Sequence, residues 1–308
     1  MQYKILFVGL GSIGQRHLKN LTTILNSRNT NFQIDALRMQ NSTHIGVGKI
    51  YTYRDDIPDD YDIIFITNPT NLHYETMMRL KDKTKHFFVE KPIFDKIHKF
   101  SFNNGVCYVA CPLRFHPIIG KLKDFAQNNN VFSFRAICSS YLPDWRANID
   151  YKSNYSAKKS MGGGVELDLI HEVDYLKWIF GKPKKVSMFL GKKSNLEIDS
   201  NDVSLYLFEF SNSIGSLHLD YFGRYQQKTK REIEIYTNDD TILFDITNCS
   251  IRSSKTGIND CFPSEDMHMN EMKYFFEKIL DNTESKTYHN FPKEALESLK
   301  IALRGNTV

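Results

Sequence analysis

The chain has 308 residues, 41% hydrophobic and 25% charged, enough for about two domains that each bury a core. An aromatic share of 13% excludes an intrinsically disordered chain. The net charge of +4 is scattered in short groups such as Lys158-Lys159 and Lys192-Lys193, a solvated surface that suits anionic small molecules and disfavours nucleic acid.

Residues 5–8 read as a buried strand and residues 13–25 as a helix, with Ile13, Leu18, Leu21 and Leu25 near helical spacing and Ser12 as its N-cap. Further strands are predicted at 32–37, 51–53, 62–67, 86–89 and 106–110, with a helix over 71–80. Alternating helices and near-continuous apolar strands predict a doubly wound parallel sheet, an α/β (Rossmann) domain over residues 1–117. The pattern then changes. Strands are predicted at 131–141, 185–190, 203–210, 215–221, 232–236 and 241–246, several of them alternating, with hairpin turns at 211–213 and 238–240. A helix over 168–180 closes at Gly181 with Pro183 beyond, and two more cover 265–280 and 293–303. Residues 118–308 therefore read as an α+β domain. It is built on a large open, mainly antiparallel sheet, and its C-terminal helix is expected to pack back on the first domain.

The five cysteines are odd in number and contain no C-x-x-C, so reduced, mostly buried thiols are expected, with no disulfide framework and no metal site. Arg16, His17 and Lys19 follow the first apolar stretch too soon for a signal-peptide core, and no apolar run approaches ~18 residues. A soluble cytoplasmic protein without membrane contact is expected.

Gly9-Leu10-Gly11-Ser12-Ile13-Gly14 is a G-x-G-x-x-G in its required setting, after a strand and opening a helix. Gly9 permits the tight turn, Gly11 lets the backbone approach a pyrophosphate, and Gly14 allows close helix–strand packing. The helix start at Ser12 and Ile13 offers unpaired N–H groups to the anion. The cofactor is NADP or NAD. Arg38, at the tip of the second strand, suits a 2′-phosphate; Asp35 is at the distance of a ribose-binding acid but sits inside its strand. The Arg38 reading is favoured.

Four more segments complete a pattern: Thr67-Asn68-Pro69-Thr70-Asn71-Leu72-His73, Glu90-Lys91-Pro92, Arg114-Phe115-His116-Pro117, and Gly162-Gly163-Gly164 running on to Asp168, His171 and Asp174. With the glycine turn, and in this order, they resemble the glucose–fructose oxidoreductase / inositol dehydrogenase (Gfo/Idh/MocA) family. The resemblance covers the chain to about Gly181, with the two-domain layout and the final helix in general agreement. It implies an NAD(P)-dependent oxidoreductase with Thr67, Asn68, Pro69, His73 and Glu90 around the cofactor and Lys91 as the catalytic lysine. Lys91 also follows the fifth strand directly, at the carboxyl edge where open α/β sheets bind ligands, and a partly desolvated ammonium there can transfer protons. The alternative is a surface lysine before a turn proline, which is free to be cis or trans.

On the predicted 168–180 helix, Leu169, Val173, Leu176 and Phe180 form a core stripe, while Asp168, His171, Asp174 and Tyr175 share another face. A carboxylate beside an imidazole orients it for acid–base work, so His171 is the candidate partner acid/base and Asp168 its orienting group. The chain departs from the family in three places. Asp168 and His171 are three apart where four is usual, residues 93–105 leave little room for the crossover helix, and Pro112 stands where a polar residue is common.

The segment 141–155 would, by the same resemblance, form a substrate wall over the nicotinamide. Trp145, Arg146 and Tyr155, with Lys152, Lys158 and Arg114, suit a sugar ring carrying carboxylate or phosphate, and the segment looks like that of members associated with bacterial surface sugars. A packed surface loop is the alternative. The expected reaction is hydride transfer between nicotinamide and a carbinol or carbonyl carbon of a sugar derivative. Competing readings are a reductase of a dihydrodiol, imine or tetrapyrrole, and a non-catalytic dinucleotide-binding regulator. Apolar strands such as 205–210 leave a sheet face to hide, so a homodimer or homotetramer is expected.

Overall fold

The computed structural model describes residues 2–39, 44–53, 56–147, 149–281 and 290–304. The chain forms two compact units, Met1–Pro112 with His268–Leu296, and Leu113–Met267 with Glu297–Val308.

The first unit is built on six parallel strands: β1 (Gln2–Val8), β2 (Asn31–Leu37), β3 (Ile50–Tyr51), β4 (Tyr61–Ile66), β5 (Thr84–Val89) and β6 (Cys107–Val109). Their spatial order is β3-β2-β1-β4-β5-β6. Ile5, Leu6, Phe7, Ile63, Ile64, Phe65, Phe87 and Phe88 are wholly buried, as expected where helices cover both faces of a parallel sheet. Helix α1 (Ser12–Ser27) buries Leu18, Leu21, Ile24 and Leu25. Its N-cap is Gly11, without a side-chain cap, and Ser12 is the first helical residue rather than the cap. Helix α2 (His73–Leu80) follows a 3₁₀ turn, Thr70–Leu72. The connection from β5 to β6 contains no helix, in keeping with its short length.

The second unit opens with helix α3 (Pro117–Asn128), which had no counterpart among the predicted elements. Strands β7 (Val131–Ser140), β8 (Lys185–Gly191), β9 (Val203–Glu209), β10 (Ile214–Asp220), β11 (Thr229–Thr237), β12 (Thr241–Asp245), β13 (Ser250–Ser253) and β14 (Asn259–Cys261) form one sheet, ordered β14-β13-β12-β11-β7-β10-β9-β8. Every pairing is antiparallel except β10 with β7. The predicted 168–180 helix is two pieces, α4 (Val165–Asp168) and α5 (Ile170–Phe180), broken at Leu169 (φ −100°, ψ 24°). One face of the sheet packs on helices, with Phe134 of β7 stacked on Phe180 at 4.6 Å. The other leaves Leu205, Leu207, Ile214 and Phe189 exposed.

Near the C-terminus, α6 (Met267–Tyr274) continues into a π-helical turn, Phe275–Leu280, and α7 spans Pro292–Arg304. Residues 268–296 group with the first unit, which corrects the expected division at residues 117 and 118. The reason is local packing. The Glu271 carboxylate accepts from the Tyr108 hydroxyl (3.0 Å) and the Cys111 N–H (2.5 Å), and Phe275 lies edge-on to Phe65 and Phe88. Residues 297–304 group with the second unit, where the Tyr206 hydroxyl donates to the Ala302 carbonyl (2.9 Å). Among the described residues no cysteine is in a disulfide. Among the described residues, no helix is long and apolar enough to cross a membrane.

Candidate active-site residues of the two units

In the first unit the glycine turn caps the carboxyl end of β1. Gly9 has φ +91°, and a Cβ there would stand 2.8 Å from the Asn68 Cα, so only glycine fits. A Cβ on Gly14 would meet the Gly9 carbonyl at 2.5 Å, whereas a Cβ on Gly11 would meet nothing within 4 Å. Open space beside Gly11 and an uncapped α1 start at Ser12 and Ile13 are what a dinucleotide pyrophosphate requires. The residues present therefore fit that cofactor.

The segment after β4 braces the turn. Thr67 Oγ1 donates to the Gly9 carbonyl at 2.6 Å, and Asn68, followed by Pro69, donates through Nδ2 to Thr76 Oγ1 at 3.0 Å. His73 was expected at the cofactor, but it is only 1% exposed. Its Nε2 lies 2.9 Å from the Asn68 carbonyl, and its Nδ1 lies 3.1 and 3.2 Å from the Pro92 and Ile93 carbonyls. Burial lowers its pKa. His73 thus ties the turn at Asn68 to the turn at Pro92 and Ile93.

Beyond β5, Glu90 is buried and Lys91 half-buried, and the Lys91–Pro92 peptide is cis. Glu90 Oε2 accepts the Lys91 N–H at 3.1 Å, and Oε1 lies 2.5 Å from His17 Nε2. Burial alone would raise the Glu90 pKa; hydrogen bonding and charge from His17, with Lys91 and His268, more than offset this and lower it to about 2. His17 was not among the predicted site residues. A histidine inside the apolar stripe of α1 was the available signal.

Asp35 is fully buried. Its carboxylate accepts from the Tyr61 hydroxyl (2.7 Å), the Lys49 N–H (2.9 Å) and Gln33 Nε2 (3.0 Å). Arg38, just past β2, is half-buried, with its N–H on the Tyr51 carbonyl at 2.9 Å.

In the second unit a second cluster forms. Tyr221, directly after β10, donates its hydroxyl to Asp168 Oδ2 at 2.5 Å. The Asp168 charge and burial raise the pKa of Tyr155, and burial with the same charge keeps Tyr221 protonated. Trp145 lies edge-on to Tyr221 at 5.3 Å and donates through Nε1 to Ser140 Oγ at 2.8 Å. Arg146 is exposed, with its guanidinium 5.6 Å from the Tyr155 ring centre. A Cβ on Gly163 would stand 2.2 Å from the Tyr155 carbonyl, so the glycine run is what lets this segment close up. Trp145, Arg146, Tyr155 and Asp168 are thus brought together, with Tyr221 as the residue no sequence signal marked. His171, half-buried, is the second residue of α5, two residues beyond the break at Leu169, so the regular-turn spacing assumed for it and Asp168 does not apply.

Arg114 meets another carboxylate of the second unit. It is 3% exposed and forms a two-pronged pair with Asp174, Nε to Oδ2 at 2.9 Å and Nη2 to Oδ1 at 2.8 Å. Ser298 also bonds Asp174 Oδ1, at 3.3 Å. Arg114, expected at the substrate, is therefore engaged in a buried ion pair with Asp174.

Comparison with known proteins identifies the family. The family model for the oxidoreductase family with an NAD-binding Rossmann fold (GFO/IDH/MocA) matches residues 3–101, and that for the GFO/IDH/MocA C-terminal domain matches residues 123–243. The chain belongs to the Gfo/Idh/MocA oxidoreductase family. It is 26% identical over 186 residues to the uncharacterized oxidoreductase YrbE of Bacillus subtilis, covering 56% of this chain and 52% of the relative. It is 25% identical over 188 residues to myo-inositol 2-dehydrogenase of Thermotoga maritima, covering 57% and 54%. The match thus spans about half the length of these curated relatives. The fold is also that of a levoglucosan dehydrogenase solved with NADH and levoglucosan (TM-score 0.82, 15% identity, 98% and 95% of the two chains). It also resembles that of the WlbA dehydrogenase of Bordetella pertussis solved with NADH and UDP-GlcNAcA (TM-score 0.75, 14% identity, 98% and 94%).

Proposed function

We propose that the protein is an NAD(P)-dependent dehydrogenase that moves a hydride between nicotinamide and a carbinol or carbonyl carbon of a sugar derivative. The observation that carries this reading is Lys91 at the carboxyl end of β5, two strands from the glycine turn in the order β1-β4-β5. The dinucleotide supplies the hydride acceptor when bound. The chain's residues do the rest. Ser12 and Ile13 N–H groups hold the pyrophosphate, and Lys91 takes or returns the proton of the reacting hydroxyl as the carbon loses or gains a hydride. His171 is the second proton-handling group, while Asp168, fixed by Tyr221, orders the polar surroundings.

A polyhydroxylated ring is favoured by the aromatic and donor groups of Trp145, Arg146 and Tyr155, and by relatives named for myo-inositol and levoglucosan. With Arg114 and Lys152 held by Asp174 and Glu197, an anionic group on the sugar would rely on Arg146 and Lys158. A nucleotide-linked or acidic sugar of surface-polysaccharide synthesis fits that demand. NADP is accepted through Arg38, since Asp35 is turned inward. The exposed Leu205, Leu207, Ile214 and Phe189 make the open sheet face the surface for homodimer or homotetramer assembly.

The test is a hydride-transfer assay over inositols, hexoses and nucleotide sugars, with Lys91→Ala as control. Loss of about 10²–10⁴-fold in kcat, with dinucleotide affinity kept, is expected. A variant with full activity refutes the assignment.

A further inference from the structure

His17 lies wholly inside the first unit, its ring 4.9 Å from that of Phe88 and 6.4 Å from that of Phe65. Its Nδ1 has no hydrogen-bond partner among the described residues. Its polar contact is Glu90 Oε1 at 2.5 Å. Glu90 is ionised, so its oxygens only accept, and the imidazole Nε2–H is the donor. The other oxygen, Oε2, accepts the backbone N–H of Lys91.

Burying such a pair is a poor route to stability, because apolar residues of the same size often do as well or better. A leucine at position 17 would extend the apolar face of Leu18, Leu21, Ile24 and Leu25 and pack on the aromatic rings. What a leucine would lose is the grip on Glu90. We propose that His17 is a positioning residue: through Glu90 it fixes the backbone and the negative charge beside Lys91, tying the helix that starts at the glycine turn to the proton-handling lysine. The inference rests on the dehydrogenase reading for the role of Lys91. The hydrogen bond itself does not.

The test uses the whole protein with His17→Leu, which removes the donor, and His17→Gln, whose amide N–H₂ reaches where Nε2 stood. In cofactor-free protein, carboxyl-carbon NMR should show Glu90 titrating at about 2 in the wild type and above the ordinary 4.5 in His17→Leu, with His17→Gln below 4.5. The sign follows from burial, which raises the carboxyl once its partner is gone. In turnover, His17→Leu should lower kcat about 10²-fold, with KM for the dinucleotide within about threefold, and move the acid limb of kcat upward. His17→Gln should recover most of both. His17→Leu with Glu90→Gln should be no worse than Glu90→Gln alone, because His17 acts through that carboxylate. Should His17→Leu not fold, His17→Asn, too short to reach Oε1, takes its place.

An unmoved Glu90 titration, multiplying losses in the double variant, or an unmoved acid limb overturns the proposal. If the wild type transfers hydride to no carbinol, the dehydrogenase reading falls, and the Glu90 titration alone decides whether His17 holds that carboxylate.

Discussion

Tyr221 and Asp168 meet 2.5 Å apart in the second unit, phenol O–H to Oδ2, although 53 residues separate them in sequence. The contact is possible because β10 runs parallel to β7, which puts Tyr141 and Tyr221 at the same end of the sheet. There the Leu142 N–H bonds the Tyr221 carbonyl at 2.9 Å. With its pKa held well above 10, Tyr221 remains a donor at any pH at which the enzyme would be assayed.

Tyr221→Phe leaves a carboxylate that is 5% exposed short of a donor. A stability loss of about 1–3 kcal/mol is expected, with a fall in kcat/KM of about tenfold or more. Chemical denaturation and steady-state kinetics check both. Unchanged kinetics would remove Tyr221 from the site.

Arg114→Ala strands Asp174 in the interior and should cost about 3–5 kcal/mol in urea unfolding. Replacing the pair together, Arg114→Met with Asp174→Leu, should recover most of that loss. A substrate-binding arginine would instead raise KM and leave stability intact.

Arg38→Ala should weaken NADP by about tenfold or more and leave NAD nearly unchanged, the cost of one charge-assisted contact to a 2′-phosphate. Binding titrations of both dinucleotides decide it. Equal losses would exclude the 2′-phosphate role.

Leu207 is 63% exposed and Ile214 59%, and they stand on neighbouring strands of the open sheet face. Leu207→Lys with Ile214→Asp should convert an assembled species to monomer in sedimentation velocity. A wild type that already sediments as a monomer, at the same concentration, would refute assembly through this face.

The central strands were legible because β1, β4 and β5 are buried on both faces and so read as near-continuous apolar runs. The glycine turn was legible because steric demands at Gly9 and Gly14 leave no other residue type. Less visible was α3, whose buried stripe is only Ile118, Ile119 and Leu122, interrupted by Gly120. Strands β13 and β14 are short and polar at the sheet edge, with no alternation to detect. The break at Leu169 carries neither glycine nor proline. Among site residues, Asp35, His73 and Arg114 had the right chemistry at suitable positions. What assigned them to support was the arrival of distant partners, Tyr61 from β4, the turn at Pro92 and Ile93, and Asp174 from α5. Such partnerships depend on tertiary neighbours and leave no local spacing.

A parallel pair such as β7 and β10 has to be joined by a long crossover, and here that crossover holds Trp145, Arg146, Tyr155, Asp168 and His171. The same crossover carries α5 and the strands β8 and β9, which pair into the sheet beside β10. Exchanging that segment would therefore exchange two strands of the sheet with it, so the cluster and its scaffold can change only together.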